Sequence, residues 1–160
     1  MDISSQDQKR IILYLAAEAD TLALSARFAP GLRPGMVVHL HGELGAGKTT
    51  FVRGVLRALG YAGHVKSPTF TVVELYTISS LYLYHFDFYR FEDYHELRDA
   101  GLDEYFNGAS VCLVEWPEKA GQALPSADID IHLELAGYGR NMVLTANSAI
   151  GKQCLAALDH

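Results

Sequence analysis

Gly42, Glu43, Leu44, Gly45, Ala46, Gly47, Lys48 and Thr49 match G-x-x-x-x-G-K-[ST] at every fixed position. Glycines let a backbone curl until successive N–H groups point inward at an anion. A helix starting where such a loop ends adds its unsatisfied N–H groups and the positive end of its dipole. Lys48 would then reach the outer phosphates of a nucleotide. The Thr49 hydroxyl, with Thr50 following it, would face a phosphate-bound Mg²⁺. An ordinary glycine-rich turn is the plain alternative, and the flanks argue against it. Residues 36–40 are a short valine-containing apolar run, as in a buried strand. Phe51, Val52, Val55, Leu56 and Leu59 recur at helical spacing, and Gly60 supplies a stop.

Two further apolar runs end in carboxylates. Residues 81–86 lead into Asp87, and residues 111–114 lead into Glu115 and then Trp116. Parallel sheets present ligands at the carboxyl ends of their strands. A carboxylate there holds Mg²⁺ directly or through water, or orients an attacking water; otherwise it caps a helix. The pattern does not divide these roles between Asp87 and Glu115. Ser67, Pro68, Thr69, Phe70 and Thr71 follow the first helix, where a γ-phosphate sensor would sit; the bland reading is a turn before a strand. His85 and His95 read first as hydrogen-bonded structural groups beside strand ends.

The elements that must position these residues follow in chain order. Residues 10–16 are a strand or a helical turn, too short to decide. A helix starts near Asp20 and Thr21 and ends at Pro30 and Gly31. Residues 70–76 read as a strand. Residues 88–108 form one or two short helices, with Tyr94, Leu97, Leu102, Tyr105 and Phe106 facing inward. Ile129, Ile131, Leu133 and Leu135 alternate with polar residues in a half-exposed strand. Gly137, Tyr138 and Gly139 turn a bulged hairpin whose return arm is residues 141–145. Residues 148–158 are weakly helical. The expected fold is α/β and P-loop NTPase-like: a single domain over residues 1–160, with a mixed, mainly parallel sheet flanked by helices and an antiparallel C-terminal hairpin.

Composition narrows the classes. The chain has 160 residues, 49% of them hydrophobic, enough to bury a core without staples. No apolar run reaches ~18 residues, so no membrane span is expected. A polar, acid-bearing N-terminus argues against a signal peptide. Cys112 and Cys154 lack metal-ligand spacing, which suits a reducing cytoplasm. A net charge of −6 with scattered basic residues argues against direct, tight RNA binding. No Asn-Lys-x-Asp guanine reader is present, so adenine is favoured. No arginine-rich insertion is present either, which favours an ATPase acting on a partner over a small-molecule kinase. A non-hydrolysing, nucleotide-gated switch is the second alternative.

Four stretches, HGELGAGKTTFVRGVLRALG, VKSPTFTVVELY, YHFDFYR and CLVEWPEK, stand in the order and spacing of the bacterial TsaE (YjeE) family. The resemblance covers about residues 18–140. It implies a small Mg²⁺-dependent ATPase of tRNA N6-threonylcarbamoyladenosine biosynthesis, docking on TsaD-like and TsaB-like partners and meeting tRNA only through them. It also implies that Thr49 and Glu115 ligate Mg²⁺ and that Asp87 is the Walker-B-like aspartate positioning the metal shell or water. By the same resemblance, residues 67–71 form a mobile switch and Trp116 lies beside the nucleotide. Glu18 and Thr21 lie near the base, and Arg140 near the nucleotide. Self-association would be weak or nil. Phe70 and Phe88 stand where relatives often carry Tyr and Leu.

Overall fold

In the computed structural model, which describes residues 9–92 and 95–159, seven strands build one sheet of order β1-β7-β6-β2-β5-β4-β3. They are β1 (Lys9–Leu15), β2 (Val37–His41), β3 (Val73–Ile78), β4 (Leu81–Asp87), β5 (Val111–Glu115), β6 (Ile129–Ala136) and β7 (Gly139–Ala146). The helices are α1 (Glu18–Phe28), α2 (Lys48–Ala58), α3 (His95–Asp99) and α4 (Ala149–Ala156), with short 3₁₀ turns between elements. Residues 10–16, left undecided by their length, belong to a strand at the sheet edge, antiparallel to β7. Tyr94 lies outside the described residues.

The sheet is mixed, but its parallel pairing is confined to the central run β6-β2-β5-β4. The hairpins β3–β4 and β6–β7 and the edge pair β1–β7 are antiparallel, so the expected parallel majority is an even split. The reason is connection length. The two-residue links after β3 and β6 can only reverse the chain, whereas a parallel return needs a long crossover. The β6–β7 turn also lacks the expected bulge. Its register runs unbroken from Ile129↔Ala146 to Ala136↔Gly139, and Gly137 takes φ 61° in the two-residue turn. The strand expected from residue 70 begins at Val73, because Val72 takes φ 71° and turns the chain there.

Period-two alternation splits the central strands between two cores. Val38, Leu40, Val111, Leu113 and Leu83 face α1, α2 and α4, where Phe28, Phe51, Val52, Val55 and Leu56 are wholly buried. Val37, Cys112, Val114 and Phe86 face the other way, under Phe88, Phe91, Leu97 and Leu102. Burying four such side chains of α2 fixes the helix by several kcal/mol, at roughly 1.5–3 kcal/mol each. α1 lies close against α2 because Gly54 leaves room: a Cβ there would stand 1.9 Å from Ser25 Oγ. α4 is capped by Ser148, whose Oγ accepts from the Gly151 N–H and donates to Asp128. The other carboxylate oxygen of Asp128 accepts from the Val37 N–H and anchors the start of β2.

Candidate nucleotide site

The loop between β2 and α2 keeps three glycines at positive φ, Gly42 at 153°, Gly45 at 81° and Gly47 at 106°, which a side chain would strain. At Gly42 a Cβ would also meet the Leu133 carbonyl oxygen at 2.6 Å. Gly47 is the N-cap of α2, so the first N–H groups of that helix open toward the loop's hollow. Lys48 is buried at the start of the helix, its ammonium donating to the Gly42 carbonyl and standing 3.6 Å from the centroid of the Trp116 ring. Burial pulls its pKa below the usual lysine range, against the raising influence of Glu115 and Asp87.

Both strand-end carboxylates reach this place. β4 and β5 are parallel neighbours, and Asp87 pairs directly with Glu115 in the register. Alternation puts His85 and Asp87 on one face of β4 with Tyr84 and Phe86 on the other, and Glu115 on the same side of β5 as Leu113. The Thr49 hydroxyl donates to Glu115, at 3.1 Å to Oε2 and 3.3 Å to Oε1. His85 Nε2 lies 2.5 Å from Glu115 Oε2, with both side chains buried. Asp87 Oδ1 accepts from the Tyr89 N–H. Burial raises the Asp87 pKa above the usual carboxylate range, opposed by the Tyr89 N–H and reinforced by the charge of Glu115.

Lys48, Thr49, Asp87, Glu115 and Trp116 line one cleft of about 220 Å³ together with Leu44, Gly45, Gly47, Thr50, Ser67 and Thr69. The outer phosphates of a nucleotide fit here: an ammonium, helix N–H groups and the loop backbone converge on it. The donor set is also right for Mg²⁺, which takes hard oxygens, here one hydroxyl and two carboxylates. A second cleft, about 160 Å³, lies across the loop and is lined by Ala17, Glu18, Thr21, Thr50, Tyr138 and Arg140 among others. The two share Gly45, Gly47 and Thr50 and so adjoin across the loop.

Arg140 borders the second cleft, where it grips the phosphate loop. Its Nε donates to Ala46 O, and its terminal nitrogens donate to Gly45 O and Gly139 O, each at 3.0 Å. It braces the outer side of the loop through the Gly45 and Ala46 carbonyls; each trans peptide turns its N–H, those of Ala46 and Gly47, to the other side, and the Ala46 N–H donates to Glu43 O. Glu18 pairs with Arg53 at 2.8 Å on the surface, and Thr21 is buried against the second cleft. In the 67–71 segment, Ser67 and Thr69 share a hydrogen bond of 2.7 Å, and Thr71 donates to Glu74. Phe70 is exposed beneath the Arg90 guanidinium, 4.3 Å away, while Pro68 is buried and its carbonyl accepts from Val72. Glu43 and Leu44 are exposed on the loop, and Ala46 is buried under it. Sequence reasoning did not reach Tyr138, which the hairpin brings to the second cleft; its place at a glycine-flanked turn was the available signal.

A phosphate loop between a parallel strand and a helix, with carboxylates at the ends of β4 and β5, defines a P-loop NTPase-like nucleotide-binding protein. Residues 15–142 match the family model described as threonylcarbamoyl adenosine biosynthesis protein TsaE, and the chain belongs to that family. It is 41% identical over 152 residues to the tRNA threonylcarbamoyladenosine biosynthesis protein TsaE of Haemophilus influenzae, covering 92% of this chain and 96% of that one. The Bacillus subtilis protein of the same name is 47% identical over 118 residues, 74% of this chain and 73% of its own. The crystal structure of B. subtilis YdiB superposes with a TM-score of 0.79 at 34% identity, covering 95% of each chain.

Proposed function

We propose that this chain is the ATP-binding and ATP-hydrolysing component of tRNA N6-threonylcarbamoyladenosine biosynthesis, acting on a TsaD-like and TsaB-like pair to support its turnover. The observation that carries the ATPase reading is the convergence of Lys48, Thr49, Asp87 and Glu115, from α2, β4 and β5, on a single cleft. Lys48 leaves the Gly42 carbonyl for the outer phosphates and offsets their charge. The loop amides, held open by Arg140 on the far side, cradle the phosphate chain. Mg²⁺, held by the Thr49 hydroxyl with Glu115 and Asp87, would spread charge off the γ-phosphoryl oxygens. Asp87, which pairs with Glu115 in the register and lines the same cleft as Ser67 and Thr69, orients the attacking water. Glu18, Thr21 and Tyr138 border the space left for the adenosine. Residues 67–71 report the γ-phosphate to a partner.

Among the described residues, no arginine lines the cleft around Lys48, Asp87 and Glu115. Arginine is the usual neutraliser of transition-state charge in such hydrolases, and its supply in trans accelerates them greatly. Hydrolysis by the isolated chain is therefore slow and rises when a partner orders the switch or adds a cation. The net charge of −6 fits a protein that leaves tRNA to those partners. Among the described residues no helix is long and apolar enough to cross a membrane.

The test is MgATP hydrolysis by the purified chain, alone and with its cognate TsaB–TsaD pair, with Lys48→Ala as the blank. Slow turnover that rises with the pair and disappears in the variant is expected. Nucleotide binding without hydrolysis in either setting would replace the ATPase by a nucleotide-gated switch. Turnover indifferent to the pair would remove the partner assignment.

A further inference from the structure

The face of β2 turned away from α2 carries a second group of ligand-type side chains. Val37, His39 and His41 alternate with the core residues Val38 and Leu40, and on the parallel neighbour β6 Asp130 and His132 occupy the same face. Register sets His39 beside Asp130 and His41 beside His132. His41 Nε2 lies 2.8 Å from Asp130 Oδ1, and His39 Nδ1 lies 3.8 Å from the same oxygen. One donor atom from each of His39, His41 and Asp130 lies within 4.8 Å of the others.

We propose that His39, His41 and Asp130 form a site for a late first-row divalent metal ion, with Zn²⁺ the best fit, separate from the phosphate cleft. Two imidazoles and a carboxylate are borderline donors that select Zn²⁺, Co²⁺ or Ni²⁺ over Mg²⁺ or Ca²⁺. Donors about 2 Å from a tetrahedral ion stand about 3.4 Å apart, and the spacings found here bracket that value. His39 Nε2 is buried without a hydrogen-bond partner, and Nδ1 faces Asp130 Oδ1 at 3.8 Å, beyond hydrogen-bond range. The carboxylate is held from behind: Asn147 Nδ2 donates to Asp130 Oδ2 at 2.8 Å. The His132 ring stacks on His41 at 4.2 Å between centroids and limits its rotation. His41 and Asp130 are about a quarter exposed, which leaves an entry path and an open coordination position for water.

The cluster could instead be a hydrogen-bonded seam between β2 and β6, and metal titration separates the two. Co²⁺ is added to the protein saturated with MgADP, so that the phosphate cleft is occupied. One equivalent of Co²⁺ is expected to give ligand-field absorption of a histidine-carboxylate site, and Zn²⁺ should displace it. His41→Asn and Asp130→Asn should abolish the band, Asn147→Ala should weaken binding about ten- to hundredfold, and Glu115→Gln should leave the band unchanged. Zn²⁺ titration of the unmodified protein, followed by the ring resonances of His39 and His41, gives the same answer without any variant. Absence of the band in the unmodified protein overturns the proposal. So does a band that survives His41→Asn and Asp130→Asn, or Zn²⁺ shifts confined to other histidines.

Discussion

The imidazole of His85, wholly buried in β4, holds Glu115 Oε2 at 2.5 Å, and the same carboxylate accepts from Thr49 at the head of α2. A strand on one side and the phosphate helix on the other thus orient one carboxylate. His85 should therefore act through Glu115, as a positioning residue.

Replacing His85 by Phe should leave Glu115 buried with Thr49 as its remaining partner. The expected result is about ten- to hundredfold weaker apparent Mg²⁺ affinity in the ATPase assay and a stability loss of about 1–3 kcal/mol. His85→Gln, which keeps an N–H donor, should recover much of the Mg²⁺ dependence. Equal Mg²⁺ dependence in both variants would refute the role.

Asp87 should oppose stability where it serves function. Its folded pKa is raised by burial, so its favourable contribution is present in acid and is lost as pH rises through that raised value. At neutral pH, Asp87→Asn should therefore melt higher than the parent, by about 2–4 °C if the gain is ~1 kcal/mol. The difference should shrink as pH falls through the carboxylate range. The same variant should lose hydrolysis. A melting temperature that drops at neutral pH would contradict this.

Arg140 should matter for nucleotide affinity through the loop it braces. Losing three donors on Gly45, Ala46 and Gly139, at about 1.5–3 kcal/mol for a charged hydrogen bond, should weaken ATP binding at least about tenfold in Arg140→Ala. Lysine should rescue little, because an ammonium cannot reproduce the planar fork. Calorimetric titration with a non-hydrolysable ATP analogue would decide; an unchanged affinity rules out the brace.

Trp116 is the only tryptophan, and the Lys48 ammonium stands over its ring. Nucleotide phosphates compete for that ammonium, so ATP binding should change tryptophan emission in the parent. The change should be largely absent in Lys48→Ala at concentrations where an independent assay shows nucleotide bound. A full-sized change in that variant would separate the signal from Lys48.

Both thiols should be inert in the folded chain. Burial pushes Cys112 up to about 12 and Cys154 to about 11, and thiolate is the reactive form. Alkylation at pH 8 should follow unfolding, with both sites reacting together in denaturant and neither reacting quickly before it.

The phosphate loop was legible because everything it needs is contiguous: glycines for positive φ, a lysine and threonine at the head of a helix, and apolar residues at helical spacing behind them. Asp87 and Glu115 were legible as strand ends by the same local logic, although their division of labour was not. Local pattern could not order the strands. Which neighbour a strand takes depends on which faces it can bury and how long the connections are, and those quantities span the chain. Tertiary pairing alone set Asp87 beside Glu115 and placed His85 against that carboxylate. It carried Arg140 across 94 residues to the Ala46 carbonyl. It also drew His39, His41 and Asp130 into one cluster, through a parallel register that no spacing along the chain encodes.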